Sequence, residues 1–428
     1  TVAKLRPDCK AISLSGKGCF IEVFLRCIEE FHKPFLAKLR STTKQEREMQ
    51  AYLSPDECNL EEFIQQVTRT LTPQEVPQAH DIQNNIPVYD VTQLDLSGDT
   101  RALKAEWAHV FLKSSGVLLL KNAFPDTSCI DTASTIYERI IADEKAADGR
   151  KADHFAASGA NDRIWNSAQK LCHQDPMVFA QYFGNLAIDA ACEAWLGPNY
   201  QMTAQVNLVR PGGAAQSPHR DYHLGFQPRD VAASYPAHVH DLSPVLTLQG
   251  AVAHVDMPIE SGPTKLLPFS QSYRHGYLAF TLPEFRAFFE ENFVQVPLQK
   301  GDVLFFNPAL FHAGGANVSQ DIQRMANLLQ VSSAYGRSLE NLDRQSMTHH
   351  LYEVLARGDH GLSAPQIDAA ISACAEGYSF PTNLDTDPPI GGLAPETPAA
   401  LCRRALANEM PVQEFNAALT ALYARKKA

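Results

Sequence analysis

Between residues 116 and 334 the apolar residues come in short runs, VLLLK, VLTLQGAVAHV, PTKLLPF, DVLFFNPALF and MANLLQVSSA, punctuated by Gly, Pro, Asn and Asp. Runs of that length bounded by turn-forming residues read as strands, so this stretch must build a β-rich core. Helical periodicity flanks and interrupts it. SPDECNLEEFIQQVTRTL offers Ser54 as an N-cap and Pro55 at the first helical position, with Leu60, Phe63, Ile64, Val67 and Leu71 on one face. In DTSCIDTASTIYERIIADEKA, residues Ile130, Ala133, Tyr137, Ile140 and Ile141 share a face. Near the end, Val412, Phe415, Leu419 and Leu422 recur at helical spacing, after the Pro- and Gly-rich loop TNLDTDPPIGGLAPETP. The expected fold is mainly β with flanking helices: a helical extension over 1–85, a β domain over 86–339 and a second helical extension over 340–428. The segment before Met49 has poorer periodicity and reads either as an added helix or as a weakly ordered arm.

At 428 residues the chain is long enough to enclose a large core, and 45% hydrophobic with 20% charged residues is ordinary globular composition. A formal net charge of -11 without a long basic run argues against broad nucleic-acid binding, so the expected partner is a small molecule. The 9 cysteines are scattered, never in a C-x-x-C pair, and read as reduced thiols of a cytoplasmic protein. No stretch approaches the roughly 20 uninterrupted apolar residues of a membrane span. LSGKGCFIEVFLRCIEEF is partly apolar but broken by charges, and reads as an amphipathic or buried segment. The apolar stripes of the helical ends need a partner surface, which the β-core or a second subunit of a homo-oligomer could supply.

The chemistry is concentrated in VNLVRPGGAAQSPHRDYHLGF, where an apolar run breaks at Pro211-Gly212-Gly213 and resumes through His219-Arg220-Asp221. In an extended strand, residues two apart point to one face, so His219 and Asp221 can present an imidazole nitrogen and a carboxylate oxygen side by side. GDVLFFNPALFHAGGANVS then supplies a second strand, a turn at Asn307-Pro308, and His312. Two histidines and one carboxylate on one face of a metal leave its other face open, the arrangement expected of non-haem iron(II) oxygenases, with room for a bidentate keto acid and O2. An H-x-D pair alone recurs by chance in many chains. What gives it meaning is Arg324, at the start of the next apolar run, where a guanidinium could pair bidentately with the remote carboxylate of a dicarboxylic keto acid.

Four blocks of the chain, in order and spacing, resemble the phytanoyl-CoA dioxygenase family: GVLLLKNAFP, SPHRDYHLGF, AVAHVDMPIESGPTKLLPFSQSYRHG and LQKGDVLFFNPALFHAGGANVSQDIQR. The resemblance runs through most of residues 116 to 332. It implies a double-stranded β-helix core (jelly roll, cupin-like), Fe(II) on His219, Asp221 and His312, 2-oxoglutarate salt-bridged to Arg324, and O2 as co-reactant. Relatives that halogenate carry a small residue in place of the carboxylate ligand; Asp221 therefore favours hydroxylation, with release of succinate and CO2. One departure is Gly314, where many relatives carry a hydroxyl that helps hold the keto acid. The helical ends match nothing recognised in the family.

Around these ligands, Gln205 and Gln249 are candidate cosubstrate contacts, since each lies in an otherwise apolar strand and needs a partner if buried. His223, continuing the ligand face, Tyr222 and Arg163 are candidate substrate contacts. Arg220 points away from the ligand face of a regular strand, toward solvent or a structural pair. His254 reads as a core histidine. DHFAASGANDRIWNS reads as a loop or lid before the core. Two rival readings are a cupin-like non-oxidative metalloenzyme, which would have no need of Arg324, and a catalytically silent binding protein on the same scaffold.

Overall fold

A computed structural model describes residues 51–148, 160–380 and 382–427. Contacts divide the chain into Thr1–Tyr52 and Leu53–Ala428, and the second unit is described here. The readings made for the segment before Met49, for residues 14–31 and for residues 153–159 lie outside the described residues.

Among the described residues ten strands carry the architecture: β1 (Asp81–Gln83), β2 (Ile86–Asp90), β3 (Val117–Lys121), β4 (Asn161–Ile164), β5 (Gln201–Val209), β6 (Thr247–Ala253), β7 (Lys265–Leu267), β8 (Val303–Phe306), β9 (Phe311–Ala313) and β10 (Arg324–Ser332). Eight form one sheet in the order β1-β2-β3-β8-β6-β10-β5-β4. Only β2 and β3 run parallel; the other neighbours are antiparallel. β7 and β9 form a second, short-stranded layer, extended by single bridges from His219 to His312 and from Leu266 to Val294. Both faces of the large sheet are covered, which explains why its strands read as unbroken apolar runs rather than alternating ones.

The two faces hold different cores. Leu118, Leu120, Val206, Leu208, Val252, Phe305, Met325 and Leu329 pack toward the helices Arg101–Lys113, Ser128–Asp148, Ser167–Gln174, Pro176–Phe183 and Leu186–Leu196. Their neighbours of opposite parity, Val88, Val117, Leu119, Leu304 and Phe306, pack with Leu266 and Leu310 of the short-stranded layer. The result is the jelly-roll arrangement, with the metal-ligand candidates on the short-stranded side. The C-terminal helices Arg344–Leu355, Ala364–Cys374, Pro398–Ala407 and Val412–Arg425 contribute Leu351, Ile371, Leu401, Phe415, Leu419 and Leu422 to the same core as the sheet.

Three local expectations need correction. The helix beginning at Ser54 is two pieces: Ser54 caps a one-turn 3-10 helix at Pro55–Glu57, and Asn59 re-caps the α-helix Leu60–Val67 by accepting the Glu62 N–H. A second side-chain cap inside the run stops one helix and starts the next. Of the expected 1–85 helical extension, the described part already contains β1, which joins the sheet edge through β2. The stretch Asn161–Ile164, expected to be a loop or lid, is the edge strand β4, whose register on β5 pairs Arg163 with Asn207.

Candidate metal centre

The strand expected around His219 is reduced to a single bridge. His219 donates its N–H to the His312 carbonyl at 2.9 Å and accepts the His312 N–H at 3.2 Å, so the two imidazoles leave neighbouring backbones. Their ring centroids lie 4.4 Å apart. Each ring is then oriented by its own chain: His219 Nδ1 lies 2.9 Å from the Ser217 carbonyl and His312 Nδ1 2.8 Å from that of Leu310. A carbonyl only accepts, so both Nδ1 atoms carry the proton and both Nε2 lone pairs are free for an ion.

Those lone pairs converge on Asp221. His219 Nε2 is 3.7 Å from Asp221 Oδ1, and His312 Nε2 is 3.4 Å from Oδ2. The three donor atoms lie within 4.8 Å of one another, the only such grouping of His, Cys, Asp and Glu among the described residues. Neighbouring ligands about 2.1 Å from one ion are roughly 3 Å apart, so the donors need only contract slightly to hold it. Burial alone would raise the Asp221 carboxyl, but the His312 contact, the charges of both histidines and the Gln249 amide overcome it and hold the group far below the usual range. Burial and mutual repulsion with His312 lower His219. The donor set therefore favours a deprotonated carboxylate beside a neutral imidazole at His219, as metal binding requires.

The other candidates are distributed along the inner face of the large sheet. Arg324 opens β10, is 9% exposed, and donates through Nη1 to the carbonyls of Ser261 (3.1 Å) and Gly315 (3.0 Å). No carboxylate among the described residues pairs with it, and burial pulls the guanidinium down to about 10, leaving it charged near neutrality. Gln249 directs Nε2 to Asp221 Oδ2 at 2.5 Å, while its Oε1 has no partner. Gln205 accepts from Arg163 Nη1 at 2.9 Å and leaves Nε2 unpartnered. Arg163 also lies over the Trp165 ring. At Gly314 the backbone N–H donates to Gln216 Oε1.

His223 does not continue a ligand strand. Tyr222, at φ +47°, turns the chain into the 3-10 helix His223–Phe226, and His223 Nδ1 ends 3.4 Å from Ser243 Oγ. Tyr222 instead sends its hydroxyl to Gln330 Oε1 at 2.5 Å, and that oxygen also receives Gln249 Nε2 at 3.3 Å. Asp221, Gln249, Gln330 and Tyr222 thus form one chain of hydrogen bonds that starts at the candidate carboxylate ligand. Arg220 is not in solvent: it is 2% exposed and caps the carbonyls of Ser270 and Tyr273. His254, as expected, is a core residue, held between Ser134 Oγ and the Tyr182 hydroxyl at 2.8 Å each.

Two residues at this site escaped the sequence reading. Gln330 was one polar residue in an apolar run, and the Gln249↔Gln330 register that gives it meaning is a property of the folded sheet. Glu340 accepts the Asn166 N–H at 2.6 Å through Oε1, leaves Oε2 without a partner, and lies beside Gln205. Burial pushes its carboxyl up to about 7 against the pull of the Asn166 N–H and nearby donors. No local signal marks it.

Residues 112–326, half of the chain, match the family model described as phytanoyl-CoA dioxygenase (PhyH). Dioxygenase aneA of Aspergillus aculeatus is 30% identical over 152 residues, covering 35% of this chain and 44% of that protein. Dioxygenase andF of Emericella variicolor is 27% identical over 142 residues, 32% of this chain and 43% of that protein. The chain thus spans less than half the length of these curated relatives. Among solved structures, the non-heme alpha ketoglutarate dependent carbocyclase SnoK of nogalamycin biosynthesis aligns at 18% identity and TM-score 0.40, covering 54% of this chain and 83% of that one. The epimerase SnoN, solved with Fe3+, alpha ketoglutarate and nogalamycin RO, aligns at 18% and TM-score 0.39, covering 54% and 84%.

Proposed function

The chain belongs to the phytanoyl-CoA dioxygenase family, and from that premise we propose that it is an Fe(II)- and 2-oxoglutarate-dependent dioxygenase that hydroxylates a small molecule, with release of succinate and CO2. His219, Asp221 and His312 would hold the iron, which when bound supplies the redox chemistry that couples decarboxylation of 2-oxoglutarate by O2 to oxidation of a substrate C–H bond. The observation that carries the reading is the pre-set donor triad: two Nε2 lone pairs fixed by backbone carbonyls and converging on one carboxylate.

The remaining residues bind and orient. Arg324, a buried cation with no carboxylate partner among the described residues, would receive the distal carboxylate of 2-oxoglutarate. A non-oxidative metalloenzyme has no use for such a group. Gln249 orients Asp221 and can offer its unpartnered Oε1 to the bound cosubstrate; Gln205 can offer its unpartnered Nε2. On the substrate side we assign Arg163, Tyr222 and His223, with the exposed ring of Phe226 packed 5.4 Å from that of Tyr222. An apolar ring beside polar groups suits a substrate that is itself part apolar. No helix among the described residues is long and apolar enough to cross a membrane.

The test is succinate and CO2 formation from 2-oxoglutarate by iron-loaded protein, with a metabolite panel scored for stimulation. Iron-dependent turnover that disappears in His219→Ala is expected. Failure to consume 2-oxoglutarate with iron bound would return the protein to the non-oxidative or silent-binding readings.

A further inference from the structure

Arg220 lies between two of the ligands in sequence and is one of the largest fully buried side chains of the molecule. A buried cation is expensive unless its donors and charge are satisfied, and the usual remedy, a carboxylate, is missing among the described residues. The guanidinium is held by other means. Nη2 donates to the Ser270 carbonyl at 2.5 Å and the Tyr273 carbonyl at 3.0 Å, and the group lies 5.1 Å from the Tyr277 ring centroid and 5.2 Å from that of Phe311. The surroundings are shaped to it: a Cβ on Gly276 would fall 1.8 Å from Arg220 Cζ, and one on Gly225 would fall 2.0 Å from the Arg220 carbonyl oxygen.

The Phe311, Ser270 and Tyr277 contacts lead back to the three candidate ligands. Arg220 is peptide-bonded to both His219 and Asp221, and Phe311, beneath its guanidinium, is peptide-bonded to His312. Ser270, whose carbonyl it caps, accepts the Phe311 N–H through Oγ at 2.8 Å. Tyr277, over which it lies, donates its hydroxyl to the Asp221 carbonyl at 3.4 Å. Two segments that are distant in sequence and carry all three ligands therefore meet on one cation.

We propose that Arg220 is the positioning residue of the metal centre: it locks the His219-Asp221 segment against the Phe311-His312 segment, and so sets ligand spacing without touching metal or cosubstrate. This rests on the metal reading above and deepens it. Loss of the cation leaves each ligand present but allows the two segments to shift, so its signature is a distorted, weaker site rather than an absent one.

The test uses the full chain and Co(II) as probe, under conditions where binding is read by calorimetry and by the ligand-field absorption of the ion. Wild type, R220M, R220K, H219A and a remote core variant, L422A, are compared, with melting of the metal-free proteins measured in parallel. R220M should weaken Co(II) binding by roughly 10–100-fold and alter the absorption bands. R220K should restore part of both, because it keeps the charge. L422A should melt early yet bind Co(II) normally, which separates positioning from general destabilisation. Wild-type affinity and spectrum in R220M would overturn the proposal while leaving the metal reading intact. If H219A binds Co(II) as wild type does, the metal reading itself fails and the proposal with it. If both R220M and R220K are unfolded without metal, Arg220 is a determinant of the fold and not a positioning residue, which also overturns the proposal.

Discussion

His219, Asp221 and His312 each supply one donor atom to a grouping that has no spare member. Replacing any of the three with Ala should abolish stoichiometric iron binding and turnover while leaving the circular dichroism and melting of the metal-free protein nearly unchanged. Full iron content in any one variant removes that residue from the set. Arg324→Leu should instead raise the apparent KM for 2-oxoglutarate, on the order of 100-fold or more, because charge-assisted hydrogen bonds contribute about 1.5–3 kcal/mol each; iron content should stay constant, and an unchanged KM refutes the assignment. Glu340 calls for a pH experiment. Its folded-state carboxyl is near 7, against 4.5 for an ordinary glutamate, so between those values the folded protein keeps a proton that the unfolded chain has released. The stabilising contribution is complete below pH 4.5 and is lost as pH rises through 7. Glu340→Gln should therefore gain stability over wild type progressively from pH 5 to pH 8, by at most about 3 kcal/mol. A difference independent of pH excludes this account. Legibility in the sequence divides along the same residues. The grouping of His219, Asp221 and His312 could be anticipated because metal chemistry demands particular side chains at spacings a β-scaffold can satisfy, and the fold brings the three together. Glu340 could not, because its whole environment comes from Asn166 and Gln205, far away along the chain.

At the level of elements, the strands with continuous apolar runs were legible and β4 was not. Its sequence NDRI has no run to detect; only its pairing with β5 makes it a strand, and its buried Asp162 is satisfied by Lys145 at 2.7 Å and Arg210 at 2.5 Å. The turn at Tyr222 was equally hidden, because a tyrosine at positive φ carries no sequence mark, and it removed His223 from the ligand face. The short helix Gly276–Ala279 illustrates how a side chain dictates an element's first residue. Gly276 is required because the Arg220 guanidinium fills the space a side chain would need. Gly276→Ala should destabilise the protein by roughly 1–3 kcal/mol through overpacking, and most of that cost should vanish in an Arg220→Ala background, as a double-mutant cycle measures. Equal costs in both backgrounds would mean that the guanidinium is not what excludes the methyl group.

For the molecule as a whole, the helical ends raise the question of independence. Periodicity in the sequence revealed that the last helix has an apolar face, but a stripe does not name its partner. The structure names it: Leu351, Ile371, Leu401, Phe415 and Leu419 belong to the core built on the sheet. Burial of each such side chain contributes about 1.5–3 kcal/mol, so together they are comparable to the whole net stability of a typical domain. Deleting residues 340–428 should give aggregation or a large fall in melting temperature, and the excised segment should show no activity. A truncated protein that stays soluble, melts as before and turns over normally would make the C-terminal helices a separate module.

The two-way backbone pairing of His219 with His312 has a thermodynamic meaning for the entire chain. An ion held by both side chains joins points 93 positions apart in sequence, and so acts as a removable cross-link that closes a long loop in the folded state only. Folding and metal supply are then coupled by mass action: at an ion concentration 100 times its Kd, the folded state gains about 2.7 kcal/mol. Melting temperature should rise with the logarithm of free ferrous ion and fall on chelation, with no such dependence in His312→Ala. With iron as the proposed ion, its scarcity would therefore cost the protein abundance as well as turnover, because unfolded chains are the ones that proteases remove.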